Sequence, residues 1–294
     1  MLWAVFTLIA AGAQTARNAM QRELTATLGT VGATHVRFLF GFPFALLFLA
    51  GVTIVVGEGL PRPPLTFWPW VLAGAFTQIA ATATMLSVMG QRSFVVAYAY
   101  IKTEPVHVAL FGLIFLGDKV TPLSATAILI ATAGVIVISL KRGASQVSTA
   151  RSTVIGLLSG ALFGLSAISY RGAILTLHLP DFVLAATFTV SVGLVIQAAV
   201  LSLYLWLREP KVMHDIMRAW KPSLFAGFMG AFASEFWFLG FAITSAANVR
   251  TLALVEVLFA QGVTHFVFKQ PTTPRELAGV VLVVIGVALL VWAY

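Results

Sequence analysis

Three side chains that can carry or transfer charge lie within one of the most apolar regions of the chain: Lys102, Glu104 and His107, in AYIKTEPVHVAL at 99–110. A charge near the middle of a membrane costs about 2.5 kcal/mol or more, so each needs a partner or water. On a helix, Glu104 and His107 share one face with Tyr100, whereas Lys102 lies on another face. Lys102 and Glu104 are therefore not expected to pair with each other, and each should find a partner on a neighbouring helix or face water.

A second intramembrane carboxylate, Glu256, follows Arg250 by six residues in an equally apolar stretch. If such groups border a wet central cavity, they can bind the amino and carboxylate groups of a zwitterion, and the carboxylates can relay protons. The alternative is that Glu104 and Glu256 only neutralise basic partners and brace two halves of the protein. Aromatic stretches with a few polar groups suit an amphipathic ligand. The predicted substrate pathway comprises Gln78, Tyr98, Tyr100, Lys102, Glu104, His107, Glu235, Trp237, Arg250 and Glu256.

The composition indicates that the predicted pathway residues lie on transmembrane helices. Of 294 residues, 60% are hydrophobic and 10% are charged, whereas about a quarter of the residues of a soluble protein are charged. Charge-free runs long enough to cross a bilayer as helices recur along the chain, and they do not alternate as barrel strands do. The chain is predicted to be an all-α integral membrane protein with ten transmembrane helices, near 2–21, 31–56, 66–90, 94–116, 122–141, 153–176, 181–207, 220–244, 246–268 and 275–293.

An internal repeat divides these spans into five plus five. An offset of 152 positions places Glu104 on Glu256 and also superposes Pro122 on Pro274 and Gly134 on Gly286. An odd number of crossings forces the second copy to start on the opposite side of the bilayer, as in many secondary transporters. The prediction is two inverted five-helix repeats, residues 1–145 and 146–294, around a central cavity.

Other functions lack their motifs in this sequence. Cysteine is absent, which excludes disulfides and thiolate metal sites. No H-E-x-x-H, G-x-S-x-G or phosphate loop occurs, so an intramembrane enzyme is disfavoured and a self-contained ATP-driven pump is excluded. The net charge of +8 lies in short loops, where lipid headgroups are the expected partner rather than nucleic acid. No cofactor and no metal site is predicted.

Two further sets of residues are assigned structural roles. Arg17 with Asn18, and His35 with Arg37, fall near predicted span ends, and they are interpreted as interfacial or snorkelling side chains. Gly156, Gly160 and Gly164 form a stripe on the sixth predicted helix that is interpreted as a packing surface.

The stretch SFVVAYAYIKTEPVHVALFGLIFLGDKVTPLSATAILIATAGVIVIS resembles the end of a repeat in the drug/metabolite transporter superfamily, EamA type. In that family a helix ends in a Gly-acidic-basic turn and a Pro leads into a last helix that contains Gly. The carboxyl-terminal stretch is similar but departs from the pattern, because Lys269-Gln270-Pro271 stands where Gly117-Asp118-Lys119 stands in the first copy.

The resemblance implies a multi-pass exporter of the inner membrane that moves aromatic or other neutral amino acids, or similar small metabolites. A sugar-phosphate or nucleotide-sugar carrier is the second choice, since Lys102 and Arg250 supply two cations for a phosphate. The small-molecule substrate and the lipid bilayer are the expected partners. Proton coupling and a monomeric state stay open.

Overall fold

The computed structural model describes residues 1–89, 100–139, 149–258 and 273–293, and most of these are helical. A π-helical turn, Gly112–Leu116, follows the fourth helix, and a 3-10 turn, Ala253–Val255, follows the tenth. The described ranges contain no β-strand. In chain order the helices are α1 (Leu2–Leu39), α2 (Phe42–Val56), α3 (Phe67–Met89), α4 (Glu104–Phe111), α5 (Pro122–Ser139), α6 (Thr149–Thr176), α7 (Phe182–Arg208), α8 (Pro210–Arg218), α9 (Trp220–Ile243), α10 (Ala246–Leu252) and α11 (Pro274–Ala293).

Six of the described helical segments are long and apolar enough to cross a membrane, and two shorter apolar segments accompany them. The prediction of an all-helical, multi-pass membrane protein is confirmed. The predicted spans 94–116 and 246–268 lie partly outside the described residues, so the number ten stays a prediction, as does the division into residues 1–145 and 146–294.

The segment α1 doubles back at Gly29. Gly29 has φ 67° and ψ 178°, which is not helical. The Gln21 side-chain amide donates to the Ala33 carbonyl at 2.9 Å, although twelve residues of straight helix would separate these positions by about 18 Å. The chain therefore reverses here, as the separate predicted spans 2–21 and 31–56 require. The first arm continues to Leu28, well past the predicted end.

Helix α8 lies between the predicted spans 181–207 and 220–244, where REPKVMHD is rich in charge and turn residues and suits a loop. It is instead a short amphipathic helix with Ile216 buried. Val212 packs at Gly32 on α1, where a Cβ would come within 2.8 Å of it. Val212 and Ile216 are four residues apart and thus share a helix face, which was the signal for this element.

Helices α5 and α11 pack through glycines, which include the pair matched by the repeat, Gly134 and Gly286. A Cβ at Gly134 would lie 2.7 Å from the Gly279 carbonyl oxygen, and one at Gly286 would lie 2.5 Å from the Ala131 backbone nitrogen. Contacts this close leave no room for a side chain, so the two backbones touch.

The predicted glycine stripe on α6 is confirmed as a packing surface at two of its positions. A Cβ at Gly160 would lie 3.0 Å from the Ile101 carbonyl oxygen, and one at Gly164 would lie 3.1 Å from the Cβ of His107. The stripe therefore lets α6 approach the backbone on which Lys102 and Glu104 lie.

Candidate functional site

Two ion pairs cross between the halves of the chain. Lys102 Nζ contacts Glu256 Oε1, and Arg250 Nε lies 3.0 Å from Glu104 Oε1. Each carboxylate thus pairs with a cation that is distant in sequence, and all four side chains are between 5% and 14% exposed. The prediction that Lys102 and Glu104 pair with neighbouring helices rather than with each other is confirmed.

These four charged side chains lie at or near interruptions in two helical segments, one before Glu104 and one before Glu256. The chain is helical at Tyr100 and Ile101, turns at Lys102 and Thr103, and resumes as α4 at Glu104. Pro105 lacks the amide hydrogen that would bond back across the turn, so the helix restarts here rather than continuing from Ile101. Because the turn bends the chain at Lys102, this side chain and Glu104 diverge toward different partners.

The second half has an interruption in the same register. The 3-10 turn Ala253–Val255 comes directly before Glu256, as the turn at Lys102 and Thr103 comes before Glu104. Interrupted transmembrane helices leave backbone groups available near the middle of a bilayer, which is a common way to build a transport site.

Arg250 is held between its carboxylate and two aromatic rings. Its guanidinium carbon lies 4.5 Å from the centroid of the Trp237 ring and 5.3 Å from that of Phe241. The Trp237 indole in turn donates to Gln14 Oε1 at 3.2 Å. Cation–π contacts of this kind stabilise a desolvated arginine, so Trp237 positions the cation that faces Glu104.

A cavity of about 30 Å³ lies beside these charges. It has room for one or two water molecules, whereas small-molecule sites usually occupy about 300–1,000 Å³. This cavity is therefore smaller than a typical small-molecule site. The cavity is lined by Gln14, Arg17, Asn18, Arg37, Gln78, Met85, Ile101, Lys102, Glu104, Phe163, Trp237 and Arg250.

Five of the predicted pathway residues line this cavity: Gln78, Lys102, Glu104, Trp237 and Arg250. Glu256 adjoins it through its contact with Lys102. Gln78 is positioned from α7, because Gln197 Nε2 donates to its side-chain oxygen at 2.8 Å.

Three predicted residues that the structure describes, His107, Tyr100 and Glu235, are not among the lining residues. The Nδ1 of His107 lies 3.1 Å from the Thr103 carbonyl oxygen, and the ring lies against Phe111. Tyr100 is half-buried on the short helical piece before the break. Glu235 accepts a hydrogen bond from the Thr187 hydroxyl on α7. Tyr98 lies outside the described residues.

The interfacial assignment of Arg17 and Arg37 is wrong. Both side chains are 2% exposed and line the cavity. His35 is fully buried as well, with its Nε2 3.0 Å from the Ser202 hydroxyl. The error for Arg17 arose because Gln21 and its charged neighbours were interpreted as the end of a span that in fact continues for two further turns.

A sequence signal for the Arg17 face was present. The polar residues Gln14, Arg17, Asn18 and Gln21 recur at i, i+3, i+4 and i+7, which places them on one helix face. A polar stripe of this kind within an apolar helix faces the protein interior rather than lipid.

A second charged cluster lies toward the ends of the helices. Arg171 on α6 donates to the backbone carbonyls of Phe241 and Thr244 at the end of α9, and its Nη2 lies 3.4 Å from Asp118 Oδ1. Asp118 belongs to the Gly-Asp-Lys turn before α5. Arg171 thus links three elements that meet there.

Next to this cluster is a cavity of about 280 Å³, between the ends of α4, α5, α10 and α11. Its polar lining includes Asp118, Thr121, Ser124 and Asn248. Among the described residues, no group of three or more His, Cys, Asp or Glu could hold a metal ion.

The apolar helices and the buried charges between them define a multi-pass membrane protein with a polar centre. The chain belongs to the EamA-like transporter family, whose pattern matches residues 1–140 and again residues 146–292. It is therefore a membrane transporter of the drug/metabolite transporter type, built from two repeats.

Comparison with solved structures gives the same fold. Twenty-seven solved chains match, and one crystal structure superposes with a TM-score of 0.71 over 99% of both chains at 16% sequence identity. No curated protein sequence matches the chain.

Proposed function

We propose that this transporter exports amino acids, aromatic or other neutral ones, or similar small amphipathic metabolites across the inner membrane by alternating access. The observation that supports this most strongly is the crossed pairing of Lys102 with Glu256 and of Arg250 with Glu104. Both pairs border the cavity at helix breaks in matched register, where a change in either half alters the contacts of the other.

A zwitterion can exchange with these pairs. Its ammonium group replaces a cation at Glu104 or Glu256, and its carboxylate binds the cation that is set free. Each buried charge then keeps a partner while the cavity opens, which avoids the large cost of an uncompensated charge. Trp237 and Phe163 provide apolar surface for the rest of the substrate.

The Arg171 cluster suits a gate at one end of this pathway. Access from that end requires α6 to separate from Asp118 and from the carbonyl groups of Phe241 and Thr244. The central pairs and this cluster would then open in alternation as the two repeats, inverted relative to each other, rock about the site.

Flux into proteoliposomes that hold the purified protein tests the proposal. Labelled phenylalanine, alanine and triose phosphate are offered with and without an imposed pH gradient. We expect amino-acid flux that is lost in Glu104→Gln and in Glu256→Gln. The matched control is Glu58→Gln, because Glu58 is an exposed carboxylate in the loop after α2, and it should leave flux unchanged.

Equal flux in all three variants would contradict a central role for the crossed pairs. Flux that rises with the pH gradient and depends on Glu104 or Glu256 would assign proton coupling to these carboxylates, whereas flux that ignores the gradient indicates facilitated export.

A sugar-phosphate or nucleotide-sugar carrier is the second candidate. The observation that favours it is the position of Arg17 and Arg37 at the cavity, which gives four lining cations where sequence reasoning counted two. Flux of triose phosphate alone would select this candidate.

A further inference from the structure

Arg37 has weak partners for a buried cation, among them the Phe38 ring, whose centroid lies 5.2 Å from the guanidinium carbon. Its guanidinium reaches the Thr82 and Ser234 hydroxyls at 3.4 Å each, longer than the usual hydrogen-bond distance of about 2.9–3.0 Å. Its Nε has no hydrogen-bond partner among the residues that the structure describes. The described part of the chain includes every Asp and Glu of the sequence, and within it no carboxylate forms an ion pair with Arg37.

Arg17 lies beside Arg37. The Cγ of Arg37 and the Cδ of Arg17 lie 3.1 and 3.3 Å from the point that a Cβ at Gly230 would occupy. Both arginine stems therefore pack on the same small patch of α9. Arg17 also donates from Nε and Nη2 to Asn18 Oδ1.

The charges around the cavity do not balance. Arg17, Arg37, Lys102 and Arg250 line it, whereas Glu104 is the lining carboxylate and Glu256 adjoins. Glu235 contacts α7 and is not among the lining residues. Arginine does not lose its proton in proteins, so the cavity carries an excess of positive charge that an anion would neutralise.

We propose that Arg17 and Arg37 form a subsite for one anionic group, a carboxylate or a phosphate, of the transported molecule. This inference rests on the proposed function and adds a requirement to it: the substrate carries an anionic head group, and an amine without one is not bound. Two guanidinium groups side by side offer the planar, paired donors that both carboxylate and phosphate accept.

Ligand binding to the purified protein in detergent tests the subsite separately from transport. The probes are 3-phenylpropionate, phenethylamine, phenylalanine and glycerol 3-phosphate, and the measurement is the shift in unfolding temperature by tryptophan fluorescence. We expect 3-phenylpropionate, glycerol 3-phosphate or both to raise the unfolding temperature, and phenethylamine to have no effect. The anion that gives the larger shift identifies carboxylate or phosphate as the natural head group.

Three variants locate the effect. Arg37→Leu should abolish the anion-induced shift and weaken anion affinity by about ten-fold or more. Arg37→Lys keeps the charge but loses the fork of donors, so it should retain part of the affinity. The matched control is Arg62→Leu, because Arg62 is exposed in the loop before α3.

A structural role for Arg37 gives a different result. If Arg37 serves the fold, Arg37→Leu lowers the unfolding temperature of the ligand-free protein; if it serves an anion, removing a poorly compensated buried cation raises that temperature. An anion shift that persists in both Arg37 variants, or an amine that binds as well as the anions, would overturn the subsite.

Transport separates this inference from the proposed function. Anion binding that depends on Arg37, without flux in proteoliposomes, would support the subsite and contradict the proposed transport function. Amino-acid flux that is unchanged in Arg37→Lys and Arg37→Leu would support the proposed transport function and contradict the subsite.

Discussion

The two repeats share a framework but not its charges. The helices that end at Val56 and Arg208, and those that begin at Pro122 and Pro274, differ by the same offset of 152 positions. The cavity cations do not repeat, because the positions that correspond to Arg17 and Arg37 hold Ser169 and Thr189. Helix ends and packing glycines thus follow the repeat, whereas the cations that line the cavity have no charged counterpart at the matched positions of the other repeat.

The crossed pairs combine both kinds of feature. Glu104 and Glu256 occupy matched positions, but their partners do not, since Leu254 stands at the position that matches Lys102. The two pairs also differ in their surroundings. Glu256 is 5% exposed and Glu104 is 14% exposed, and Arg250 has aromatic rings as additional partners. The repeats should therefore respond unequally when matched residues are changed.

The largest effect is expected for the pair of Lys102 with Glu256. Glu256→Gln removes the carboxylate that contacts the buried Lys102 ammonium and should lower the free energy of unfolding by about 3–5 kcal/mol. Glu104→Gln should cost less, because the Trp237 and Phe241 rings still face Arg250. Unfolding of the detergent-solubilised protein, followed by tryptophan fluorescence, measures both.

The double variant Lys102→Met, Glu256→Met controls this prediction. It removes both charges at similar volume, so it should be more stable than Glu256→Gln alone. Equal costs for Glu104→Gln and Glu256→Gln would show that the two pairs are equivalent structural links. A double variant no more stable than Glu256→Gln would contradict the buried Lys102 charge as the cause of the loss.

The middle-sized effect concerns the shared framework. Gly134→Ala and Gly286→Ala each place a methyl group within 2.7 Å of the backbone of the facing helix, so each should destabilise the protein by about 1–3 kcal/mol. Gly12→Ala is the matched control, because a Cβ there meets nothing within 4 Å. It should be neutral or stabilising, since alanine favours a helix more than glycine does.

Similar costs for Gly134→Ala and Gly286→Ala would support a symmetric contact between α5 and α11. If only one of the two destabilises, the framework is less symmetric than the alignment of the repeats indicates, and the difference between the repeats extends beyond the charges.

Sequence reasoning identified the framework because apolar length and repeated register are local signals. The helices α7 and α9 begin and end within a few residues of the predicted spans 181–207 and 220–244, whereas the predicted span 31–56 is divided in the structure between the end of α1 and α2. It also predicted correctly that Lys102 and Glu104 find separate partners, although a turn at Lys102 and Thr103, and not an unbroken helix, separates the two side chains in the structure.

The position of Arg37 could not be obtained in the same way, whereas Arg17 belongs to a polar stripe that indicates an inward-facing helix face. A lone arginine near a predicted span end can snorkel to the interface or turn inward, and the choice depends on what faces it. Here Gly230 on α9 provides space for both stems, which is a tertiary contact that no local pattern contains.

The smallest effect concerns how the second helix of each repeat begins. Asp181 caps α7 by accepting from the Leu184 amide at 2.7 Å, whereas the matched position in the first repeat is Gly29, with φ 67°. Asp181→Ala should lower the free energy of unfolding by about 1 kcal/mol. Gly29→Asp introduces the residue of the second repeat, but the backbone there disfavours any Cβ, so it should destabilise as well.

Both variants are compared by the same fluorescence measurement. If Gly29→Asp stabilises the protein, the first arm can adopt the capped start of α7, and the two repeats would then be interchangeable at this turn. Loss of stability in both variants instead means that the two repeats begin their second helices with different local structures that cannot be exchanged. Even the shared framework would then have diverged where the chain must turn.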